Sequence, residues 1–155
     1  MGSASRGCYL GFTGSHRIGH MYRALLEGIA LEQALVSGMI EEETGEPLKE
    51  FIAIGGGASS DLWRQIIADV CGKRVLRSET VEASSLGAAV CAATGAGWFP
   101  SAASAAEAMA GKITRENEPG LAKVARYAEL MAIYRTIYPQ LRETFSQLAQ
   151  FSAAG

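Results

Sequence analysis

The segment Ile52-Ala53-Ile54-Gly55-Gly56-Gly57-Ala58-Ser59-Ser60-Asp61-Leu62-Trp63 constrains this chain more than any other. A short β-rich stretch runs into consecutive glycines and then into a helix that opens with Ser and Asp. Glycine permits φ > 0 and carries no Cβ, so the backbone can turn sharply there and let a flat or anionic ligand approach closely. The helix that follows presents N–H groups without intrahelical acceptors. An ordinary strand-to-helix turn has the same composition, and the glycines alone do not separate the two readings.

Around this junction the chain alternates between two periodicities. Gly7 to Thr13 reads as a strand or extended segment, with a turn and N-cap at Gly14-Ser15. From Ile18 the apolar positions Met21, Tyr22, Leu25, Ile29, Val36 and Ile40 predict a long helix, ended by Gly45 and Pro47. The run Glu41-Glu42-Glu43 reads as a solvated face. A strand is predicted over Leu48 to Ile54, a helix from about Ser60 to Cys71 closed by Gly72, and a short strand over Lys73 to Leu76. Ser84 and Ser85 are read as caps of an Ala-rich helix whose Gly87-Ala88-Ala89 suits close packing on a sheet. This βαβαβα order predicts an α/β layer architecture with largely parallel strands. A short helix follows near Ala103 to Ala110, then a charged connector from Lys112 to Glu118. The last helical pattern starts at Pro119, and Pro139 predicts a kink or break near Tyr138.

At 155 residues and 48% hydrophobic composition the chain can bury one good core, which makes one domain the expectation. Met1 to Ser5 reads as a tag or disordered terminus, leaving 6–155 as the domain. A net charge of -2 without a Lys/Arg block argues against nucleic-acid or membrane-surface partners. Cys8, Cys71 and Cys91 are odd in number and far apart, so they are read as buried, reduced thiols of a soluble cytoplasmic protein. No stretch approaches the roughly 20 apolar residues of a membrane helix.

The glycine turn, continued through Arg64 to Val75 and Ala83 to Ala93, resembles the carboxy-terminal domain of the FGGY carbohydrate kinases, with xylulose kinases the nearest subgroup. Arg6-Gly7, Gly11-Phe12-Thr13, Ser15-His16 and Tyr22 to Ala30 resemble the stretch preceding that family's adenosine motif. The resemblance implies a partial ribonuclease-H-like domain of the actin-like ATPase fold, here with a carboxy-terminal helical extension. It implies transfer of the ATP γ-phosphate to a sugar hydroxyl, with Mg2+ in the full-length enzyme. Carried over residue by residue, the adenosine site maps onto Gly56, Gly57 and Ala58, with Ser60 and Asp61 at the helix start. The family's sugar pocket, catalytic aspartate and phosphate loops match nothing in this chain, so no catalytic residue is assigned. The expectation is therefore an adenosine-binding lobe of a two-domain kinase, inactive by itself, that meets its sugar through an amino-terminal domain.

Each site residue has a plainer reading. Ser60 and Asp61 can simply cap a helix, and capping is the preferred reading for Asp61. Trp63 could wall a nucleotide pocket, but anchoring the helix to the sheet is preferred. His16 and His20 stand at i and i+4, a spacing that can bind zinc. With no third ligand evident, hydrogen-bonded structural roles are preferred and no metal site is assigned. Arg23 and Glu27 read as a helix pair. Ser78 stands where the family commonly has a proline, followed by the acidic residues Glu79 and Glu82.

Two further functions compete. An apolar stripe from Leu121 to Leu148 is compatible with a homodimer or a non-catalytic interaction module. The nucleotide lobe of another actin-like ATPase shares the turn, whereas a dinucleotide fold is disfavoured because GGGASS lacks GxGxxG spacing.

Overall fold

The computed structural model describes residues 6–80 and 82–153, so the expectation for residues 1–5 lies outside it. Helix α1 (Ile18–Thr44) ends on Gly45 at φ 69, where the Gly45 N–H donates to the Glu41 carbonyl. Only a residue without Cβ closes a helix in this way at little cost. The helix starts later than its turn signal: Arg17 holds the cap position, while Ser15 Oγ lies 2.8 Å from Thr13 Oγ1 inside the turn. Gly7 to Thr13, expected as a strand or extended segment, is exposed chain outside the sheet, because a strand needs a paired neighbour and no described strand lies beside it.

The sheet has the order β1 (Glu50–Ala53), β2 (Arg74–Ser78), β3 (Ile113–Asn117). β1 and β2 are parallel, with Glu50 opposite Arg74 and Ala53 opposite Arg77, joined through the glycine turn and helix α2 (Asp61–Cys71). β3 runs antiparallel to β2, so the sheet is mixed rather than largely parallel. This strand was expected as a charged connector. Its first four residues are exposed, so it carries no apolar alternation, and Arg74 instead spans the sheet with 2.6 Å bridges to both Glu50 and Glu116.

Helices α3 (Ala83–Gly95) and α4 (Ala102–Met109) pack on each other, and α5 (Leu121–Ala153) packs on α2. α2 is the hub, touching α1, α5, β2, β3 and the glycine turn, and its Ile66 and Ala68 lie fully buried with Val75 of β2. The architecture is thus α/β in composition but mostly helical, with a small three-stranded sheet.

Several local expectations change. α5 runs through Pro139 without a break, and the exposed position of that residue leaves the turn without its hydrogen bond open to water. Glu82, not Ser84 or Ser85, occupies the N-cap of α3. Gly87, Ala88 and Ala89 are exposed, with open space where a Gly87 Cβ would stand, since small residues allow close packing but do not compel it. Glu41 is no freely solvated charge: its Oε1 accepts 2.7 Å bonds from Lys73 Nζ and the Leu48 N–H, which hold its carboxyl below the usual range. Cys8 and Cys91 are exposed, and only Cys71 is partly covered. Among the described residues no helix is long and apolar enough to cross a membrane.

Candidate functional site

The glycine turn takes its shape from one residue with an obligatory conformation and from carbonyls that accept hydrogen bonds within the protein. Gly55 sits at φ 79, ψ -178, a backbone state that side chains resist. A short 3-10 turn follows over Gly56–Ser59. The Gly55 carbonyl accepts from Ala58 N at 3.1 Å, and the Gly57 carbonyl from Ser60 N at 3.1 Å. The Ala58 carbonyl accepts from Arg64 Nη1. The turn is left with free donors: the Gly56 and Gly57 N–H groups, at the start of a helical turn, have no protein acceptor among the described residues.

Gly56 and Gly57 are exposed whereas Ala58 is buried. No described atom lies within 4 Å of where a Gly56 Cβ would stand, so the protein's own packing does not require glycine there. At Gly57 the corresponding position is 3.5 Å from Trp63 Cδ1 and 3.6 Å from its Nε1. The half-buried indole thus stands directly beside the turn. Ser60 caps α2, its Oγ accepting from Trp63 N at 3.3 Å. Asp61 does not cap: its Oδ1 accepts from Arg64 Nη2 at 2.8 Å and from Asn117 Nδ2 at 3.3 Å, although most of the carboxylate is exposed.

Behind the turn lies a polar spine. Arg64 is 1% exposed and also donates from Nε to Asn117 Oδ1 at 2.8 Å. Asn117 Nδ2 donates to Gln65 Oε1 at 3.1 Å, and Gln65 Nε2 donates to Asp69 Oδ1 at 3.0 Å and to the Glu118 carbonyl at 2.9 Å. Buried Asp69 accepts the Gly120 N–H on Oδ1 at 2.9 Å and pairs through Oδ2 with Lys123 Nζ at 3.1 Å. Burial pushes the Asp69 carboxyl upward, but the Gly120 N–H, Gln65 and Lys123 outweigh it and hold the group below its ordinary value. Arg64, Gln65, Asp69 and Asn117 were not singled out from the sequence. The available signal was helical spacing: Arg64 lies one turn before the fully buried Ala68, so a charge falls on the apolar face.

The remaining candidates separate from this site. His16 and His20 accept backbone N–H bonds on Nδ1 from Thr13 at 2.8 Å and Arg17 at 3.0 Å, and their rings meet edge-on at 5.5 Å. These are the hydrogen-bonded structural roles expected of them. Arg23 Nε donates to Glu27 Oε1 at 2.6 Å, and the Tyr127 hydroxyl joins the pair, donating to Glu27 at 2.7 Å and accepting from Arg23 at 3.0 Å. Burial and the Glu27 carboxylate push the Tyr127 phenol above its ordinary value, so it stays protonated and ties α5 to α1. Ser78 closes a local turn, its Oγ accepting from Thr80 N at 3.1 Å. Among the described residues no group of three His, Cys, Asp or Glu side chains is placed to hold a metal ion.

Two open concavities lie away from the glycine turn. One of about 430 Å³ is bordered by Tyr9, Phe12, His16, His20, Arg23 and Arg126. The other, of about 490 Å³, is an apolar trough between α3 and α4 that includes Ala92, Trp98, Phe99 and Met109.

Comparison with known proteins places these features in context. Residues 2–96 match the family model described as the FGGY family of carbohydrate kinases, C-terminal domain. The chain is 33% identical over 154 residues to a xylulose kinase of Bacillus subtilis, covering 96% of this chain and 30% of that protein. It is 31% identical over 145 residues to a gluconokinase of Bacillus licheniformis, covering 94% and 28%. The crystal structure of a xylulose kinase from Rhodospirillum rubrum superimposes with a TM-score of 0.76 at 30% identity, over 91% of this chain and 28% of that one. The chain spans under a third of the length of these relatives.

Proposed function

Because the chain belongs to the FGGY family of carbohydrate kinases, as their carboxy-terminal domain, we propose that it is the adenosine-binding lobe of an ATP-dependent kinase acting on a xylulose-like sugar. The observation that carries this reading is the turn at Gly55 to Ser60, whose Gly55, Gly57 and Ala58 carbonyls are bonded within the protein and whose Gly56 backbone is open where no packing demands glycine. Gly56, Gly57 and Ala58 would lie along the adenine and ribose, with Ser60 and Asp61 at the helix start beside them. A flat base can rest on backbone that carries no side chains, and Trp63 closes one side.

Gly56 and Gly57 are exposed, which fits half of a cleft whose other wall belongs to a second, ribonuclease-H-like domain. Phosphoryl transfer is governed by alignment of acceptor hydroxyl and γ-phosphate and by stabilisation of the developing charge. The described residues offer no acidic cluster suited to Mg2+, so no step is assigned to the metal on this chain. Its residues bind and orient the nucleoside. The phosphate loops, the catalytic base and the sugar-selecting groups reside on the remaining length of such a kinase.

Titration of the chain with ADP, followed by backbone amide shifts, tests the assignment. Shifts confined to Gly56, Gly57, Ala58, Ser60 and Trp63 are expected, with weak affinity. Silence of these amides at millimolar ADP refutes it. A panel of sugars with ATP is expected to give no turnover, and robust turnover would show that the chain contains a complete catalytic apparatus. One observation favours a second reading, an interaction module: α5 leaves Leu121 87% and Phe151 82% exposed. Sedimentation would support it if the chain dimerised and ADP had no effect.

A further inference from the structure

We propose that Arg64 is a positioning residue for the glycine turn, fixing the Ala58 carbonyl so that the turn keeps its unpaired Gly56 and Gly57 N–H donors available to the nucleoside. This rests on the nucleotide reading of that turn. A guanidinium is a rigid planar fork with five donors, and here it reaches three separate elements at once. Nη1 reaches the Ala58 carbonyl in the turn, Nη2 reaches Asp61 at the start of α2, and Nε reaches Asn117 at the end of β3. Ala58 is 6% exposed, so its carbonyl has no ready substitute in water.

Burying a cation merely to fill space is unfavourable, and a thioether or aliphatic chain of similar volume would do that at lower cost. What Arg64 supplies that an apolar residue cannot is a fixed orientation for the 58–59 peptide. Without that anchor the buried Ala58 carbonyl loses its guanidinium donor, and nothing else holds the 58–59 peptide in its orientation against the glycines before it. Through Asn117, Gln65 and Asp69 the same brace extends to the Gly120 N–H that precedes α5. The turn is thereby referenced to three parts of the tertiary structure rather than to its own short span.

The test compares wild-type, Arg64→Met and Arg64→Lys chains by amide hydrogen exchange and by ADP titration. In Arg64→Met the amides of Ala58 and Ser60 are expected to exchange at least about tenfold faster relative to Ala68 in α2, the scale of one lost charge-assisted hydrogen bond. ADP affinity should fall by about the same factor. Arg64→Lys, which keeps the charge but cannot span three acceptors, should fall between the two. Unchanged relative exchange at Ala58 and Ser60, or unchanged ADP affinity beside faster exchange, overturns the proposal. If ADP leaves the wild-type turn silent, the nucleotide reading fails, while exchange still decides whether Arg64 braces the turn. Should Arg64→Met not fold, Asn117→Leu removes the Nε acceptor together with the Asn117 bonds to Asp61 and Gln65 but leaves Nη1 on the Ala58 carbonyl, and must loosen the same amides to a smaller degree.

Discussion

Removing the Asp69 carboxylate is expected to uncouple the start of α5 from α2. The side chain is 1% exposed and accepts from Gly120 N at 2.9 Å and Gln65 Nε2 at 3.0 Å, with Lys123 Nζ 3.1 Å from its other oxygen. Hydrogen bonds to a buried charge contribute about 1.5–3 kcal/mol each, and the desolvation relieved on truncation offsets part of that. Lys123 is 61% exposed, so its pair adds no more than about 1 kcal/mol. Asp69→Ala should therefore cost about 2–4 kcal/mol, or roughly 4–15 °C in Tm for a chain of this size. Asp69→Asn keeps an acceptor at Oδ1 and should cost about half as much, since neutral bonds are the weaker ones.

The pH dependence follows with a definite sign. The folded carboxyl is held below its ordinary value of 3.8, so its contribution is complete above that pH and is lost as pH falls through the folded value. Both variants should accordingly flatten the acid limb of the stability curve. Urea unfolding at neutral and acid pH, with amide exchange at Lys123 and Val124, measures all of this. An Asp69→Ala variant within about 0.5 kcal/mol of wild type would refute the reasoning, because ordinary surface substitutions fall in that range. Equal costs for Ala and Asn would also refute it, by showing that no acceptor is needed.

Gly111→Ala should destabilise by about 1–3 kcal/mol, the range for overpacking. Its Cβ would stand 2.8 Å from Thr80 Oγ1 and 2.9 Å from the Thr80 backbone nitrogen, and a Tm equal to wild type would contradict that geometry. Glu41→Gln should flatten the acid limb independently of Asp69. The Glu41 carboxyl lies below its ordinary 4.5, held there by Lys73 and the Leu48 N–H, so its stabilisation is complete above 4.5 and fades as pH falls through the folded value. A variant as stable as wild type above pH 4.5 would count against the clamp. Thiol labelling at neutral pH should modify exposed Cys8 and Cys91 promptly and Cys71 slowly, because burial pushes the Cys71 thiol up to about 11. Equal rates at all three would refute this.

The elements that sequence reading recovered are those with local physical signals. Ser60 and Gly72 bound α2 because a hydroxyl and a Cβ-free residue satisfy helix ends on the spot, and Gly45 closes α1 for the same reason. β3 was missed because an edge strand with exposed faces needs no apolar alternation. Gly7 to Thr13 was misread in the opposite sense, since β-rich composition does not provide a neighbour to pair with. Glu41 was taken as solvated because its partners, Leu48 and Lys73, arrive only after the chain turns back.

At the site itself the division is sharper. The sequence by itself determined the turn: consecutive glycines, a capping serine and the helix behind it are local features, and Gly55 adopts the φ > 0 state only such a residue takes readily. It also carried the family assignment, since spaced motifs survive without coordinates. Only the tertiary structure decided how the Ala58 carbonyl is held. That choice depends on Arg64 meeting Asn117, a residue 53 positions away on a strand the sequence did not announce. Hydrogen bonds act over about 3 Å, so a partner brought in by folding is invisible to any reading confined to neighbours along the chain.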